Sequence, residues 1–427
     1  MSNLEELIEK LCPDGVEYKT LGVVATISRG GNFQKKDFTE QGKPCIHYGQ
    51  IYTRYGLFTD KTLTFINDEC FAKQKYAEPN DIIMAVTSEN IEDICKCVAW
   101  LGTEKVAVSG HSAIIHHSLD PKYLAYFFHS QHFFNQKRRL AHGTKVMEVT
   151  PDTLMSIKLP VPPLEVQREI VRILDNFAIA TTEIQQKLQE ELAARQKQYE
   201  YYRDLLLTFK SNESTILNER TNELELSGAI RWMKLGDIAK FTYGYTDKAK
   251  DFGNARFIRI TDITEDGCLN YQGAKYINLT ADSKKYLLNY GDLLLARTGA
   301  TYGKTLYFSS DIPAVYASFL IKITLDNNII SNRFYWHFSK SRLYWEQAEK
   351  LVSQGGQQQF NTNAVSRVNI PVPPLEVQQR IVGILDRFNT LCNDISSGLP
   401  AEIEMRQKQY EYYRDKLLTF KELKKEA

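Results

Sequence analysis

The chain has 427 residues, of which 43% are hydrophobic and 25% are charged, proportions that are ordinary for a globular protein. No run of 18 apolar residues occurs, and the acidic, amphipathic N-terminus is unlike a secretory signal, so we expect neither a membrane span nor export. Seven scattered cysteines favour a reducing, cytoplasmic setting, and a formal net charge of +1 excludes neither DNA binding nor protein binding.

The first 158 residues have the pattern of a mixed α/β unit. A short apolar run after Asn80 and Asp81 predicts a buried strand. The segment Tyr123–Leu140 predicts a helix, and Gly143 beyond it suits a helix stop. We therefore expect residues 1–158 to form one globular head.

Residues 159–211 predict a long helix. The prolines of Pro160–Pro163 suit a position at or just before its first turn. Beyond them, apolar residues recur at spacings of three and four, which is typical of a seam that packs against another helix. The residues of this seam are Ile170, Leu174, Phe177, Ile184, Leu188, Tyr199, Tyr202, Leu206 and Phe209.

The second half of the chain repeats this order. A polar linker begins the segment 212–369, which predicts a second mixed α/β head with a helix over Asn332–Val352. Residues 370–427 predict another long helix, interrupted at Ser396–Pro400 because proline removes a helix hydrogen bond. Its seam residues are Ile381, Leu385, Phe388, Ile395, Leu399, Tyr410, Tyr413, Leu417 and Phe420.

An internal repeat relates the two helical segments. Pro160–Lys210 aligns without a gap on Pro371–Lys421 at a shift of 211 residues, and 32 of the 51 positions are identical. Chance does not produce such identity, so the chain consists of two halves built on one plan. The natural partner of each helix is the other. The predicted fold is therefore α+β, with two mixed α/β heads and two long helices packed as an antiparallel coiled coil in a pseudo-twofold repeat.

Two motifs make the chain resemble a known family. Pro160-Val-Pro-Pro-Leu-Glu-Val-Gln167, followed by Ile-Val-x-Ile-Leu-Asp, is similar to the start of the long helices in Type I restriction-modification specificity subunits. Leu11-Cys-Pro-Asp-Gly-Val-Glu-Tyr18 resembles the N-terminal opening of many such subunits. The order of head, helix, head and helix matches as well, so the resemblance covers nearly the whole chain.

This resemblance implies a non-catalytic subunit that reads double-stranded DNA. Each head would be a target recognition domain for one half of a split, asymmetric sequence. The paired helices would hold the heads apart and bind two modification subunits, which methylate adenine with S-adenosylmethionine. ATP-driven restriction subunits would join that core. Both cofactors are thus expected on the partner subunits, and no cofactor, metal or membrane is expected for this chain.

Polar and basic side chains near the ends of predicted strands and helices are the candidates for DNA contact. Hydroxyl, amide and guanidinium groups suit phosphates and base edges. Each position also has a simpler explanation as a strand surface, a solvated turn or a segment after a glycine cap. The candidates are His47, Tyr48, Gln50, Ser88, Asn90, Lys145, Arg259, Thr261, Arg297, Thr298, Tyr302, Lys304, Gln357 and Gln358.

The tyrosines of the repeated helix motif invite a base-stacking hypothesis. Their place in a helical seam favours helix packing or subunit docking instead. The residues expected in that role are Leu174, Phe177, Tyr199, Tyr202, Leu385, Phe388, Tyr410 and Tyr413.

Two other classes of protein stay open. Gly299–Thr305 resembles a phosphate-binding P-loop, but three residues separate its glycines where that motif needs four. The Asn/Asp-Pro-Pro-aromatic tetrapeptide of adenine methyltransferases is also missing, so an NTPase or a fused methyltransferase is disfavoured.

The other alternative is a coiled-coil scaffold whose heads bind protein. Specific DNA retention by the purified complex would separate it from a DNA reader.

Overall fold

Short strands and helices alternate with two much longer helical regions. They form two units, of which unit 1 comprises residues 1–186 and 404–427, and unit 2 comprises residues 187–403. Each unit therefore combines one head with segments of both helical regions. The computed structural model describes residues 3–143, 145–209, 230–353, 359–393 and 398–423.

The head of unit 1 is built on two five-stranded sheets. Strands Ile82–Ala85 and Cys97–Trp100 are buried at every residue, and the first of them lies where the apolar run predicts it. Helix Pro121–Phe128 packs on these strands and supplies ring side chains to the core. In spatial order, the first sheet is Ala25–Arg29, Ser112–His117, Ile82–Ala85, Cys97–Trp100 and Phe58–Thr59, and the second is Phe38–Thr39, Thr64–Ile66, Lys43–Ile46, Val106–Val108 and Lys75–Ala77. Two further pairs are Tyr18–Thr20 with Lys158–Pro160 and Thr87–Ser88 with Met147–Glu148.

The head of unit 2 has a similar plan with fewer strands in its described residues. Strand Leu293–Ala296 is buried at every residue and pairs antiparallel with Leu320–Leu325. In spatial order, the larger sheet is Ala239–Tyr243, Leu320–Leu325, Leu293–Ala296 and Thr305–Tyr307, and the smaller is Tyr276–Ile277, Ala255–Ile258 and Ala314–Tyr316. A further pair joins Arg231–Lys234 to Asn369–Val372.

Short helices close both heads. In unit 1 they are Asn3–Leu11, Leu21–Val24, Lys35–Asp37, Tyr48–Thr53, Asp68–Ala72, Pro121–Phe128, Gln131–Leu140 and Pro151–Leu154. In unit 2 they are Leu235–Ile238, Ile260–Asp262, Ser283–Tyr286, Gly299–Thr301, Asn332–Phe338, Arg342–Leu351 and Thr362–Val365.

The prediction of one continuous helix over Tyr123–Leu140 is wrong. The structure has two helices there, because Ser130 takes an extended backbone and caps the second one: its hydroxyl accepts a hydrogen bond from the amide of Phe133 at 3.3 Å. Ser341 does the same for Tyr344 at 3.3 Å, so the predicted helix over Asn332–Val352 is also divided. The serine hydroxyl competes with helix carbonyl groups for hydrogen bonds from backbone amides, and the two serines therefore divide both segments at equivalent positions.

Gly143 is not the helix cap that the sequence predicts. The helix ends at Leu140, and the residue in the cap position, Ala141, has an extended backbone. Gly143 instead serves the next turn, where its φ of +110° and the nearby carbonyl oxygen of Val146 leave no space for a side chain.

The first long helix runs from Leu164 to Thr208, over 45 residues. In unit 1 it contacts the C-terminal helix, because the ring of Phe177 stacks on Tyr410 with centroids 6.0 Å apart. Further along, Gln185 donates a hydrogen bond to Gln407 at 3.2 Å. Residue numbers rise on one helix as they fall on the other, so the two helices are antiparallel, as predicted.

The same pairing occurs in unit 2. Tyr202 stacks on Phe388 with centroids 5.7 Å apart, and Gln196 and Cys392 line one cavity. Leu385 is fully buried beside them, as is Leu174 in unit 1. The seam is not buried along its whole length, however, since Ile184 is 39% exposed.

The second helical region is interrupted, as the proline predicts. One helix ends at Asn393, Gly398 forms a bend, and the next helix spans Leu399–Leu417. Pro400 lies in the first turn of that helix, where it removes no helix hydrogen bond. Ser396 and Ser397 lie outside the described residues.

The repeat extends beyond the helices into the heads. In unit 1, Lys122 forms an ion pair with Asp175 on the long helix at 2.6 Å. In unit 2, Arg333 forms one with Asp386 at 2.8 Å. Both residues of the second pair lie 211 positions after those of the first, so each head is anchored to its helix in the same way.

Among the described helices, none has both the length and the apolar character that crossing a lipid bilayer requires.

Candidate nucleic-acid interface

A polar cleft of about 580 Å³ opens on the head of unit 1. It lies where the strand Lys43–Ile46 ends and two glycine-containing loops meet. Its lining combines amide, amine, imidazole and phenol groups, which are the groups that bind phosphates and base edges. The lining residues are Gly31, Asn32, Phe33, Gln34, Lys35, Lys36, His47, Tyr48, Ser109, Gly110 and His111.

His47 and Gln50 cap the N-terminus of the short helix Tyr48–Thr53. His47 Nδ1 accepts a hydrogen bond from the amide of Gly49 at 3.2 Å, and Gln50 Oε1 accepts one from the amide of His47 at 3.1 Å. Thr64 donates to the same Gln50 oxygen at 3.2 Å. The sequence prediction of a strand surface here is wrong, because the strand ends at Ile46 and a capped helix begins. The amide oxygen of Gln50 is thus occupied by the cap.

Three rings form the wall of this cleft. Tyr48 lies between His47 and His111, with ring centroids 4.5 and 4.9 Å away. Burial lowers the pKa of His47, and the nearby charges of Lys35 and His111 lower it further. His47 is therefore neutral at physiological pH, and Lys35 and Lys36 supply the positive charge at the cleft.

The other candidates in the head of unit 1, called head 1 from here on, lie on a turn and a loop. Asn90 is exposed, but its side-chain amide donates to Asp93 Oδ2 at 2.8 Å and its oxygen accepts from the amide of Asp93 at 2.8 Å. Ser88 accepts a long hydrogen bond, 3.4 Å, from the amide of Asn90. Lys145 is exposed. Asn90 and Ser88 thus stabilise their own turn, and Lys145 is available to a partner.

In the head of unit 2, called head 2 from here on, Arg259 occupies the position equivalent to His47. Both residues follow strands that pair in parallel with an equivalent neighbour. Asp262, which is 1% exposed, accepts hydrogen bonds from Nε and Nη2 of Arg259 at 3.0 Å each. Most of the guanidinium is therefore used inside the head. Thr261 is exposed beside it.

The loop after strand Leu293–Ala296 brings together two kinds of candidate. Thr298 is 3% exposed, and Tyr302 packs on Trp345 with ring centroids 6.0 Å apart, so both contribute mainly to the head itself. The amine of Lys304 forms an ion pair with Glu265. Arg297 is the member of this loop whose charge is open to a partner. Gln357 and Gln358, like the neighbouring Gly355 and Gly356, lie outside the described residues.

Sequence reasoning missed the aromatic and basic residues around these candidates. Tyr243 and Phe319 are 41% and 51% exposed and flank Arg297, and Lys35, Lys36 and His111 were not singled out in head 1. A signal was present in part: a glycine followed by polar and basic residues comes directly after the strands Ala25–Arg29 and Ala239–Tyr243, at Gly30 and Gly244. The contribution of Phe319 and His111 depends on strand pairing and has no local signal.

The sequence of this chain is similar to those of known proteins over most of its length. The family model described as the type I restriction modification DNA specificity domain matches residues 13–194 and 230–405. A putative type I restriction enzyme specificity subunit of Haemophilus influenzae is 35% identical over 65% of this chain and 68% of that subunit. The EcoR124I/EcoR124II specificity subunit of Escherichia coli is 34% identical over 62% of this chain and 63% of that subunit.

The fold is also found among solved structures. The HsdS subunit of Thermoanaerobacter tengcongensis superposes with a TM-score of 0.56 over 96% of this chain and 98% of that chain, at 17% sequence identity. The expected α+β fold with two heads and long helices is thus confirmed. Because the family model matches more than half of the sequence, in two copies that each contain one head, this chain belongs to the specificity subunits of type I restriction-modification systems.

Proposed function

We propose that this chain directs a type I restriction-modification complex to a split, asymmetric DNA sequence, with each head reading one half. One observation carries the proposal: the heads share a frame of equivalent strand pairings and backbone hydrogen bonds but differ in the side chains that this frame presents. Head 1 presents His47 and His111 where head 2 presents Arg259 and Phe319. Two different surfaces on one frame suit two different half-sequences.

The proposed target recognition domains are residues 1–158 and 212–369, and the helical segments are residues 159–211 and 370–427. The cleft of head 1 combines the amines of Lys35 and Lys36 with the rings of His47, Tyr48 and His111, which supports DNA contact by this head. The double-stranded target is cellular DNA, so we place the proposed complex in the cytoplasm.

The helices are the proposed docking sites for two modification subunits. Tyr201 and Tyr412 are equivalent residues, and they are 64% and 61% exposed. Each packs edge-on against the next tyrosine, Tyr202 or Tyr413, with ring centroids 5.4 and 5.3 Å apart. Tyr202 and Phe388 lie in the seam, whereas the exposed rings are large, rigid and equivalent, which suits two copies of one partner. Restriction subunits would join the complex through these partners.

A non-catalytic role completes the proposal. The P-loop-like segment contains the short helix Gly299–Thr301, and Lys304 forms an ion pair with Glu265 that would compete with a phosphate. Adenine methylation with S-adenosylmethionine and ATP-driven cleavage would belong to the partner subunits.

Methylome sequencing tests this proposal. Cells would express the chain together with its modification subunit, and methylated adenines would be mapped. The expected motif has two different half-sequences separated by a gap of constant length and free sequence. If half-site centres lie about one helical turn apart, roughly 10 base pairs, half-sites of about four base pairs leave a gap of roughly six. A continuous or palindromic motif would contradict two independent heads.

A head exchange is the matched control. Replacing residues 1–158 with the head of a related subunit should change one half-sequence and leave the other half and the gap unchanged. An exchange that changes both halves, or neither, would contradict the assignment of one half-sequence to each head.

A further inference from the structure

Arg297 follows the buried strand Leu293–Ala296, and hydrogen bonds hold its backbone on both sides. Its amide donates a hydrogen bond to the carbonyl of Phe319 at 3.1 Å, and its carbonyl accepts one from the amide of Phe360 at 2.8 Å. Both polar groups of the Arg297 backbone are therefore hydrogen-bonded within the head, which helps to position its side chain.

The guanidinium is held in one orientation. Its Nε donates to the carbonyl of Ser318 at 3.2 Å. Its central carbon lies 5.2 Å from the ring centroid of Tyr243 and 5.5 Å from that of Phe319, within the range of cation–π contact. Among the described residues, neither Nη1 nor Nη2 has a hydrogen-bond partner. Within the described part of the head, the half-buried Arg297 thus keeps a planar fork of two donors without an acceptor.

The charge of this guanidinium is not neutralised by the described part of the head. No carboxylate of the described residues lies within 4.0 Å of it, and residues 354–358, which precede its backbone partner Phe360 in sequence, contain glutamine and glycine but no acid. Arg259 and Arg333 differ, because Asp262 and Asp386 pair with them. A fixed, unpaired guanidinium suits an acceptor on a binding partner.

Head 1 has no such group at the equivalent position. There the residue with the same backbone contacts is Val86: its amide donates to His111 at 3.0 Å, and its carbonyl accepts from Val149 at 3.0 Å. Val86 is fully buried. Arg29, at the place of Tyr243, is paired with Glu148. Of the two equivalent positions, the one in head 2 alone presents a guanidinium fork.

We propose that Arg297 specifies a guanine in the half-site read by head 2, donating from Nη1 and Nη2 to O6 and N7 of that base in the major groove. The inference rests on the proposed function and adds the base and the residue that reads it. Guanine is the base that offers two acceptors at this spacing, and the bidentate pair is geometrically matched to a planar fork. The flanking rings reduce the entropy that the side chain loses on binding.

Modified bases test the direct contact. The full chain in complex with its modification subunits would be titrated with duplexes that carry 7-deazaguanine or inosine at each guanine of the half-site assigned to head 2. Removing N7 at the contacted guanine should weaken binding by on the order of 10-fold, whereas inosine keeps O6 and N7 and should bind like guanine. If every 7-deazaguanine duplex binds as tightly as the unmodified duplex, the inference is overturned.

Substitutions link this contact to the residue. Arg297→Ala and Arg297→Lys should lower the preference for guanine at one position by on the order of 10- to 100-fold and leave the other positions and the other half-site unchanged. Arg342→Lys, at an exposed position and paired with Glu346, is the matched control and should change no base preference. Melting temperatures of each variant would establish that it is folded.

The possible outcomes separate this inference from the proposed function. If the wild-type motif is split but the Arg297 variants keep every base preference, Arg297 does not read a base and the two-head proposal stands. If they lose affinity equally for all sequences, Arg297 contacts phosphate, which also overturns the inference. A wild-type chain that yields no split motif would instead overturn the proposed function.

Discussion

Asp204 Oδ1 accepts a hydrogen bond from the backbone amide of Arg342 at 3.0 Å, which fixes a helix start in head 2 to the long helix. The residue 211 positions later, Asp415, does the same for Gln131 of head 1 at 3.1 Å. A carboxylate at a helix N-terminus satisfies an unpaired amide and faces the positive end of the helix dipole.

We expect Asp204→Ala to destabilise unit 2 by about 1 kcal/mol, because the helix Arg342–Leu351 loses this partner for its first amide. Denaturant unfolding followed by tryptophan fluorescence would measure the change, since Trp336 and Trp345 lie in this unit. Glu349→Ala, at an exposed position of the same helix, should have little effect. Equal effects of both variants would contradict this role of Asp204.

Leucines buried in the helix seam should contribute more to the free energy of unfolding than Asp204 does. Leu174 and Leu385 are equivalent and fully buried, so Leu174→Ala and Leu385→Ala should each lower the free energy of unfolding by about 2–5 kcal/mol. The equivalent exposed pair, Leu164 and Leu375, provides the control, because alanine at either position leaves no cavity in the core. Chemical denaturation of the four variants would measure this, and a loss below about 1 kcal/mol at both seam positions would count against the seam.

Stability should also depend on pH through Lys340. Burial lowers the pKa of this amine to about 7, and its Nζ lies 3.2 Å from the ring centroid of Trp336. In the unfolded chain its pKa is about 10.4, so the unfolded state binds more protons between these values. The contribution of Lys340 to stability therefore rises with pH from about 7 to about 10, and the cost of burying its charge is present in full below pH 7.

Lys340→Met should raise the melting temperature more at pH 6 than at pH 9, since the methionine removes that cost. Lys350→Met, at an exposed position on the helix Arg342–Leu351, should shift both melting temperatures equally. Scanning calorimetry at the two pH values would decide, and an equal shift for Lys340→Met would show that its amine is charged in the folded protein.

The cleft of head 1 predicts an electrostatic contribution to DNA binding. Lys35→Ala and Lys36→Ala should weaken binding to all sequences alike and reduce the slope of log K against log salt by about one each, because each lysine releases about one counterion. Fluorescence anisotropy with the intact complex at several salt concentrations would measure the slopes. Lys73→Ala is the control, since this lysine is paired with Glu69. Unchanged slopes in the cleft variants would exclude phosphate contact by these lysines.

Most of the architecture could be predicted from the internal repeat in the sequence. The spacing of Leu174, Phe177, Leu385 and Phe388 is a local property of helices, and Pro400 is tolerated in the first turn of a helix but not in its interior, so antiparallel pairing and the interruption could both be predicted. The split of Tyr123–Leu140 at Ser130 was missed because a serine can lie within a helix or cap one, and tertiary packing selects between them.

The candidate site depended more on tertiary structure. The sequence marked His47 and Arg297 as polar positions near strand ends. It could not show that Gln50 and Asp262 are used in caps, because such hydrogen bonds are made or lost by a shift of one residue in the strand end. The guanidinium of Arg297 acquires its orientation from Tyr243 and Phe319, which lie 54 and 22 residues away in sequence. Contacts at that separation arise from strand pairing, so only the folded sheet determines which polar side chain is fixed, unpaired and open to a partner.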